Sequence, residues 1–360
     1  MAGSGHGGYD GRGHAHRVSH PALPLWRVHP LAHAALAPEE RTLAQILREH
    51  GYATAAFVGG PWLKHVMGVD TGFDVYDDDG ILGIGGRAAP ELTDRAIDWI
   101  RTRRDEPMFV FLNYFDPHSP YAPPAVYLRA PRGMDPRSDS ERPEMRRALY
   151  EGEIRYMDFD LGRLFGELRA LGLYDRTWII VTGDHGELLG EHGLQGHGST
   201  LHRELTHIPL VIKHPKGEGS VGEVNAPAQL VDILPTILDR LDLPLPPEIQ
   251  GSPLDSLSHP VVAESYPLPF FENTRGDARA LIEGDYKLIW SNDGPDELYR
   301  LSTDPSEAHN LVADEPERAE AMRRKLSAYL ESLPRPLEAG SPTEVDAATQ
   351  EALRRLGYVE

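Results

Sequence analysis

Short, almost unbroken apolar runs alternate in this chain with longer stretches of helical period. That alternation constrains the fold more than any other feature. The runs are "ATAAFVGG", "MFVFLNYF", "WIIVTG" and "HIPLVIKH". Each is rich in β-branched, aromatic or other large apolar residues, as a strand covered on both faces must be. Between them lie helices. In "TLAQILREHG", Thr42 can cap a helix with Leu43, Ile46 and Leu47 on one face, closed by Gly51. "LTDRAIDWIRTRRD" predicts a second amphipathic helix with Thr93 or Asp94 near its cap. A long third helix carries Leu149, Ile154, Met157, Leu161, Leu164 and Leu168. "AQLVDILPTILDRL" is a fourth, which Pro235 must kink or start. Helices alternating with covered strands predict an α/β fold, a mostly parallel sheet sandwiched by helices.

Two flanks differ in texture. Residues 1–37 carry six of the 17 histidines and no sustained period, and are expected to form an irregular arm. After about residue 255, "ARALIEGDYKLIWS" and "DELYRL" predict short antiparallel strands with a turn at Gly284-Asp285. "EPERAEAMRRKLSAYLESL" is an amphipathic helix with a solvated charged face, and "VDAATQEALRRLGYVE" reads as a short helix and tail. The expected organisation is an arm at 1–37, an α/β core at 38–254, and a small C-terminal α+β subdomain with its tail at 255–360.

The 36 Lys and Arg stand against 56 Asp and Glu, a net −20. Such a balance lacks the basic face of a nucleic-acid binder. It leaves room for a small anionic ligand, because local charge and metal decide a site. No apolar run approaches the roughly 18 residues of a membrane span. The absence of cysteine excludes disulfides, thiolate metal sites and a cysteine nucleophile. The first residues show no charged head followed by an apolar core, so no signal peptide is expected. Compartment and oligomeric state are not written in these patterns.

In open α/β sheets, ligands bind beyond the carboxyl ends of the strands. Two strands end in chemically rich text there: "DPHSP", with Asp116 and His118, and "GDHGE", with Asp184, His185 and Glu187. Asp184 and His185 offer a carboxylate and an imidazole between glycines, suited to a divalent metal such as Mn or Zn, or to Ca where oxygen ligands dominate. The same pair also reads as a polar strand-end loop with a capping aspartate. A hydrolytic metal needs about three or four protein ligands, so two do not complete a site. His118 and His197, each a loop histidine when taken alone, can together donate to an anionic ester oxygen or protonate a leaving group.

Several ordered motifs carry a resemblance. "FLNYFDPHSPYAPP", "YEGEIRYMDFDLGRL", "WIIVTGDHGELLGEHGLQGHG", "HIPLVIKHP" and "QLVDILPTILDRLDLP" resemble, in that order, the sulfatase family of the alkaline phosphatase superfamily. "YKLIW", "DELYRLSTDPSEAHNL" and "EALRRLGYVE" resemble its closing subdomain, so the likeness runs from about residue 38 to the end. It implies an alkaline phosphatase/sulfatase-like fold and metal-dependent hydrolysis of small anionic sulfate esters. The family's nucleophile is a formylglycine, made from the Cys or Ser of a C/S-x-P-x-R motif and held beside a divalent cation. Calcium is the expected metal and manganese the second option. By motif, Asp184 and His185 resemble two metal ligands, His118 the histidine near the leaving-group and sulfate oxygens, and His197 a sulfate-binding position.

The chain departs from the family pattern at its start. Relatives place paired acidic residues and the nucleophile motif ahead of the text matching "TLAQILREHGYATAAFVGG". The 41 residues before Thr42 hold neither, and Ser4 and Ser19 have the wrong neighbours. The resemblance therefore implies an N-terminally incomplete core and impaired activity. Three origins are open: a truncated or mis-started product, a non-catalytic relative, or replacement of the missing ligands by His14, His16 and His20. The alternative functions are a phosphonate or phosphate diester hydrolase of the same superfamily and a binding protein for sulfated or phosphorylated ligands.

Overall fold

The computed structural model describes residues 36–37, 39–81, 85–219, 221–257, 259–265 and 276–333, with positions 347 and 351. Nearly all of the 1–37 arm, and of the final segment "VDAATQEALRRLGYVE" all but positions 347 and 351, lie outside the described residues.

The first helix, α1 (Leu43–Glu49), begins as its sequence dictates. Thr42 Oγ1 accepts from the Gln45 amide at 3.1 Å, and Gln45 Oε1 accepts from the Thr42 amide at 2.9 Å. This reciprocal capping box satisfies two amides that a helix start leaves open. Strand β1 (Ala53–Val58) then pairs in parallel with β2 (Val75–Asp77) on one side and β3 (Met108–Asn113) on the other. Helix α2 (Ala89–Arg103) starts ahead of Thr93 and Asp94, the cap positions expected from sequence. Pro90 suits a first turn, where no amide donor is needed, and Asp116 Oδ1 accepts from the Ala89 amide at 3.0 Å. Thr93 is instead buried, its hydroxyl 2.8 Å from that of Tyr114.

Helix α3 (Pro143–Ala170) packs on α2 through Leu164 and Leu168 against Ile97 and Ile100. Leu149 of the expected stripe is buried, whereas Ile154 is 37 % exposed. Strand β4 (Ile179–Thr182) follows, then the small hairpin of β5 (Leu188–Leu189) and β6 (Gln195–Gly196), the single turn α4 (Arg203–Thr206), and β7 (Leu210–Lys213). β4 and β7 pair antiparallel with each other. The α/β class holds, with a parallel sheet and flanking helices, but two details differ from the sequence expectation. The β4–β7 pair is antiparallel, and β4 is half-exposed rather than buried. An apolar run specifies hydrophobicity; it encodes neither strand direction nor the number of covering layers. Helix α5 (Ile233–Arg240) has Pro235 in its first turn, so this proline starts the helix and does not kink it.

Four antiparallel strands close the described chain: β8 (Val261–Ser265), β9 (Ala278–Glu283), β10 (Tyr286–Ser291) and β11 (Glu297–Arg300), in the order β11-β10-β9-β8. The β9–β10 turn is Gly284-Asp285, with Gly284 at φ +58, a value that favours glycine. One face of this sheet packs on helix α6 (Pro316–Ser332), joining Leu281, Leu288, Trp290 and Leu298 to Met322, Leu326 and Leu330. The other face receives Leu201, from the segment between β6 and α4, against Ala280, Ile289 and Tyr299. That second contact ties the sheet to the loops described next.

Candidate functional site

The chain after β3 turns sharply. Asn113 Oδ1 accepts from the Gly60 amide at 2.9 Å, and Phe115 packs against Gly59, Gly60 and Gly86. A Cβ on Gly86 would lie 2.3 Å from Phe115 Cδ1, and Gly86 has φ +61, so only glycine fits there. The Phe115 ring in turn carries the His118 ring, stacked at 4.4 Å between centroids and 16° between planes. Two carboxylates hold the loop. Asp116 ties it to the first turn of α2, and Glu153 of α3 accepts from the Ala122 amide at 2.6 Å. Burial pushes both carboxyls up, Glu153 to about 7.

The chain after β4 turns at Gly183-Asp184-His185-Gly186. Asp184 Oδ1 accepts from the His185 amide at 3.0 Å, and the Gly186 amide donates to Leu205 O of α4 at 2.9 Å. A Cβ on Gly186 would sit 1.9 Å from Glu204 O, so this close approach requires glycine. The hairpin of β5 and β6 then folds back and delivers His197 beside His185.

Three imidazoles from distant segments thus gather. The rings of His185 and His197 are 4.2 Å apart by centroids, and those of His118 and His197 are 5.4 Å apart. Nδ1 of each faces an acceptor: Ser119 O for His118 at 2.6 Å, Gly186 O for His185 at 2.8 Å, and Glu187 Oε1 for His197 at 3.4 Å. In the neutral ring an acceptor opposite Nδ1 fixes the proton there and leaves the lone pair on Nε2. His185 Nε2 lies 3.9 Å from Asp184 Oδ2. A backbone carbonyl behind the distal nitrogen is how metal-ligating histidines are oriented, so the pair suits two positions around one divalent cation. Among the described residues no group of three or more His, Cys, Asp or Glu could hold a metal ion. His118 is lowered from the usual histidine range, chiefly by burial.

All four side chains singled out in the sequence therefore lie on these two loops. The geometry brings His118, His185 and His197 together, with Asp184 exposed beside His185. His14, His16 and His20 lie outside the described residues. Sequence reasoning missed the tie from Glu153 to the His118 loop. Its signal was an acid four residues from Leu149 and from Met157, on an apolar helix face.

The sequence comparison with family profiles decides the identity of this arrangement. The profile described as Sulfatase matches residues 14–243, well over half of the chain. The chain belongs to the sulfatase family. A second profile, described as N-sulphoglucosamine sulphohydrolase, C-terminal, matches residues 190–335. The first sulfatase match contains all four candidate side chains; the second runs from the β5–β6 hairpin through α6. Among sulfatase relatives, "Uncharacterized sulfatase YidJ" of Escherichia coli (strain K12) is 29 % identical over 258 residues, covering 63 % of this chain and 51 % of that protein. Arylsulfatase K of Bos taurus is 32 % identical over 202 residues, covering 51 % of this chain and 36 % of that protein. The chain thus spans about half the length, or less, of these two relatives. The crystal structure of phosphonate monoester hydrolase of Agrobacterium radiobacter superposes with a TM-score of 0.65 at 20 % identity, covering 82 % of this chain and 81 % of that one. At that identity the superposition shows a shared fold alone.

Proposed function

We propose that this chain carries the cation- and anion-binding part of a sulfuric ester hydrolase, and that the 360 residues alone bind a sulfate ester without turning it over. One observation supports this above others: His118, His185 and His197, from separate segments, converge beside Asp184. Asp184 and His185 would hold the divalent cation, calcium by family and manganese as the second option. Bound there, it would neutralise charge on the ester oxygens. His118, seated on Phe115, and His197, backed by Glu187, line the anion's side. In a hydrolase that also has the nucleophile, a protonated His118 would donate to the leaving alkoxide. The chain contains no cysteine and no serine in an S-x-P-x-R pattern, so it supplies no formylglycine precursor.

The test measures Mn²⁺ binding, aryl sulfate hydrolysis and aryl phosphodiester hydrolysis by the purified chain. Weak, substoichiometric Mn²⁺ binding that Asp184→Asn and His185→Ala each abolish is the expected result, with no hydrolysis of either ester. Tightly bound stoichiometric metal would sink the two-ligand reading. Sulfate ester turnover by the chain alone would sink the binding-only reading, and preferential phosphodiester turnover would move the assignment to a diesterase.

A further inference from the structure

The Asp184–His185 turn does not stand on its own strand alone. Its one backbone anchor to α4 is the hydrogen bond from the Gly186 amide to Leu205 O, at 2.9 Å. Helix α4 is a single turn, and a helix this short has no stability of its own. Besides the contact of Glu204 with His192 at 3.3 Å, the C-terminal sheet holds it. Ser265 Oγ donates to Gly198 O at 3.1 Å, and Leu201 packs into the sheet's inner face. His202, which leads into α4, lies 3.2 Å from Glu297 Oε2 and 3.3 Å from the Tyr299 hydroxyl.

A further contact is a buried ion pair. Lys287 of β10 and Glu307, beyond β11, are each 1 % exposed, with Nζ 2.9 Å from Glu307 Oε1. Neither group spends its whole capacity on the other. Glu307 Oε2 accepts from the Arg203 amide at 2.9 Å, at the start of α4. Lys287 Nζ donates to Thr206 Oγ1 at 3.1 Å, at its end. One ion pair therefore grips both ends of the turn whose middle carbonyl holds Gly186. Glu307 adopts φ +51, a left-handed value that a residue other than glycine rarely takes. A buried pair is rarely retained for stability alone, since apolar residues of like volume do as well.

We infer that the C-terminal sheet positions the Asp184–His185 turn, and that the Lys287–Glu307 pair is the contact through which it does so. Lys287 and Glu307 are positioning residues: they act through α4 and Gly186 and touch no ligand. The inference rests on the proposed role of Asp184 and His185 for its functional meaning, but its readout is independent of that role. A wild-type chain that binds no Mn²⁺ refutes the metal reading and leaves the comparison below intact.

The test compares amide hydrogen exchange by NMR in wild type, the double variant K287M/E307M and the double variant K287M/E307Q. The first replaces the pair with apolar side chains of similar length and keeps the sheet folded. It removes both grips on α4. The Gly186 amide should exchange about tenfold faster or more, and the His185 ring resonances should move, while the β9–β10 amides keep wild-type protection. In K287M/E307Q the glutamine carbonyl still accepts from the Arg203 amide, and Gly186 protection should recover to within about threefold of wild type. Unchanged Gly186 exchange in the first variant would overturn the inference. So would equal acceleration at Gly186 and in β9–β10, because that is general loss of structure. If K287M/E307M does not fold, Arg203→Pro removes the amide that Glu307 holds, at the first helical position, where proline is tolerated. It should accelerate Gly186 exchange alone, and wild-type exchange there would equally overturn the inference.

Discussion

Strands β4 and β10 are written in similar apolar text, "IIVT" and "YKLIWS", yet stand in different surroundings. β10 has a partner on each side, α6 over one face and Leu201 under the other, and its residues from Lys287 to Ser291 are buried. β4 has one partner among the described residues, and each of its residues is half-buried or exposed. Val211 of β7 is 59 % exposed and Phe111 of β3 is 40 % exposed. Charges divide the same way. Around the C-terminal sheet buried ones are paired: Lys287 with Glu307, and Arg323 with Asp296. Near the candidate site, Glu153 and Asp116 accept hydrogen bonds from backbone amides, and burial raises both. One region is a closed frame; the other is a set of loops leaning on it.

The largest effect should appear where packing is closed. Leu288→Ala empties a site with 0 % exposure and should cost about 2–5 kcal/mol, the range for buried leucines. Ile180→Ala, on half-exposed β4, should cost less than half as much, because the cavity term vanishes where solvent already reaches. Urea denaturation of both variants measures this. Equal losses would break the comparison.

The next effect concerns the raised carboxyl. Glu153 is pushed from 4.5 up to about 7, chiefly by burial, with the Ala122 amide pulling the other way. The folded chain then keeps a proton that the unfolded chain releases. Stability therefore falls as pH rises from 4.5 to about 7. Glu153→Gln keeps an acceptor for the Ala122 amide and removes the proton. It should be worth about 1–2 kcal/mol at pH 8, after discounting for solvent screening, and close to nothing at pH 4. Urea midpoints of wild type and variant at the two pH values read the difference directly. A gain of the same size at both values would remove titration from the explanation.

What the sequence reveals follows the range of the interactions. The α1 start, the β9–β10 turn and the Pro90 start of α2 are local, and two of the three are readable at sight. The α2 start is the exception, because Thr93 looks like a cap while its hydroxyl serves Tyr114 in the interior. Asp184 and His185 were legible from their strand end and glycines. The approach of His118 to His197 was not, because the intervening α3 and β4 set that distance. Lys287 is the sharpest case. In a two-residue alternation it falls opposite Leu288, on the face expected to be wet, but α4 and Glu307 cover that face. Pattern gives a side, and tertiary cover decides whether that side meets water.

The smallest predicted effect tests whether a fully local signal has only local consequences. Thr42 caps α1, and removal of such a cap costs about 0.5–2 kcal/mol. Its hydroxyl also donates to Thr71 O at 2.7 Å, beside Gly72, where a Cβ would lie 2.3 Å from the Gln45 amide nitrogen. The same oxygen therefore starts one helix and pins the loop before β2. Thr42→Asp keeps the acceptor for Gln45 and loses the donor to Thr71, whereas Thr42→Ala loses both. If the two roles are separate, Asp should cost about half of what Ala costs, on the order of 0.5 against 1 kcal/mol. Equal costs would mean that the loop contact carries the whole effect, and that even this legible cap draws its strength from a tertiary neighbour.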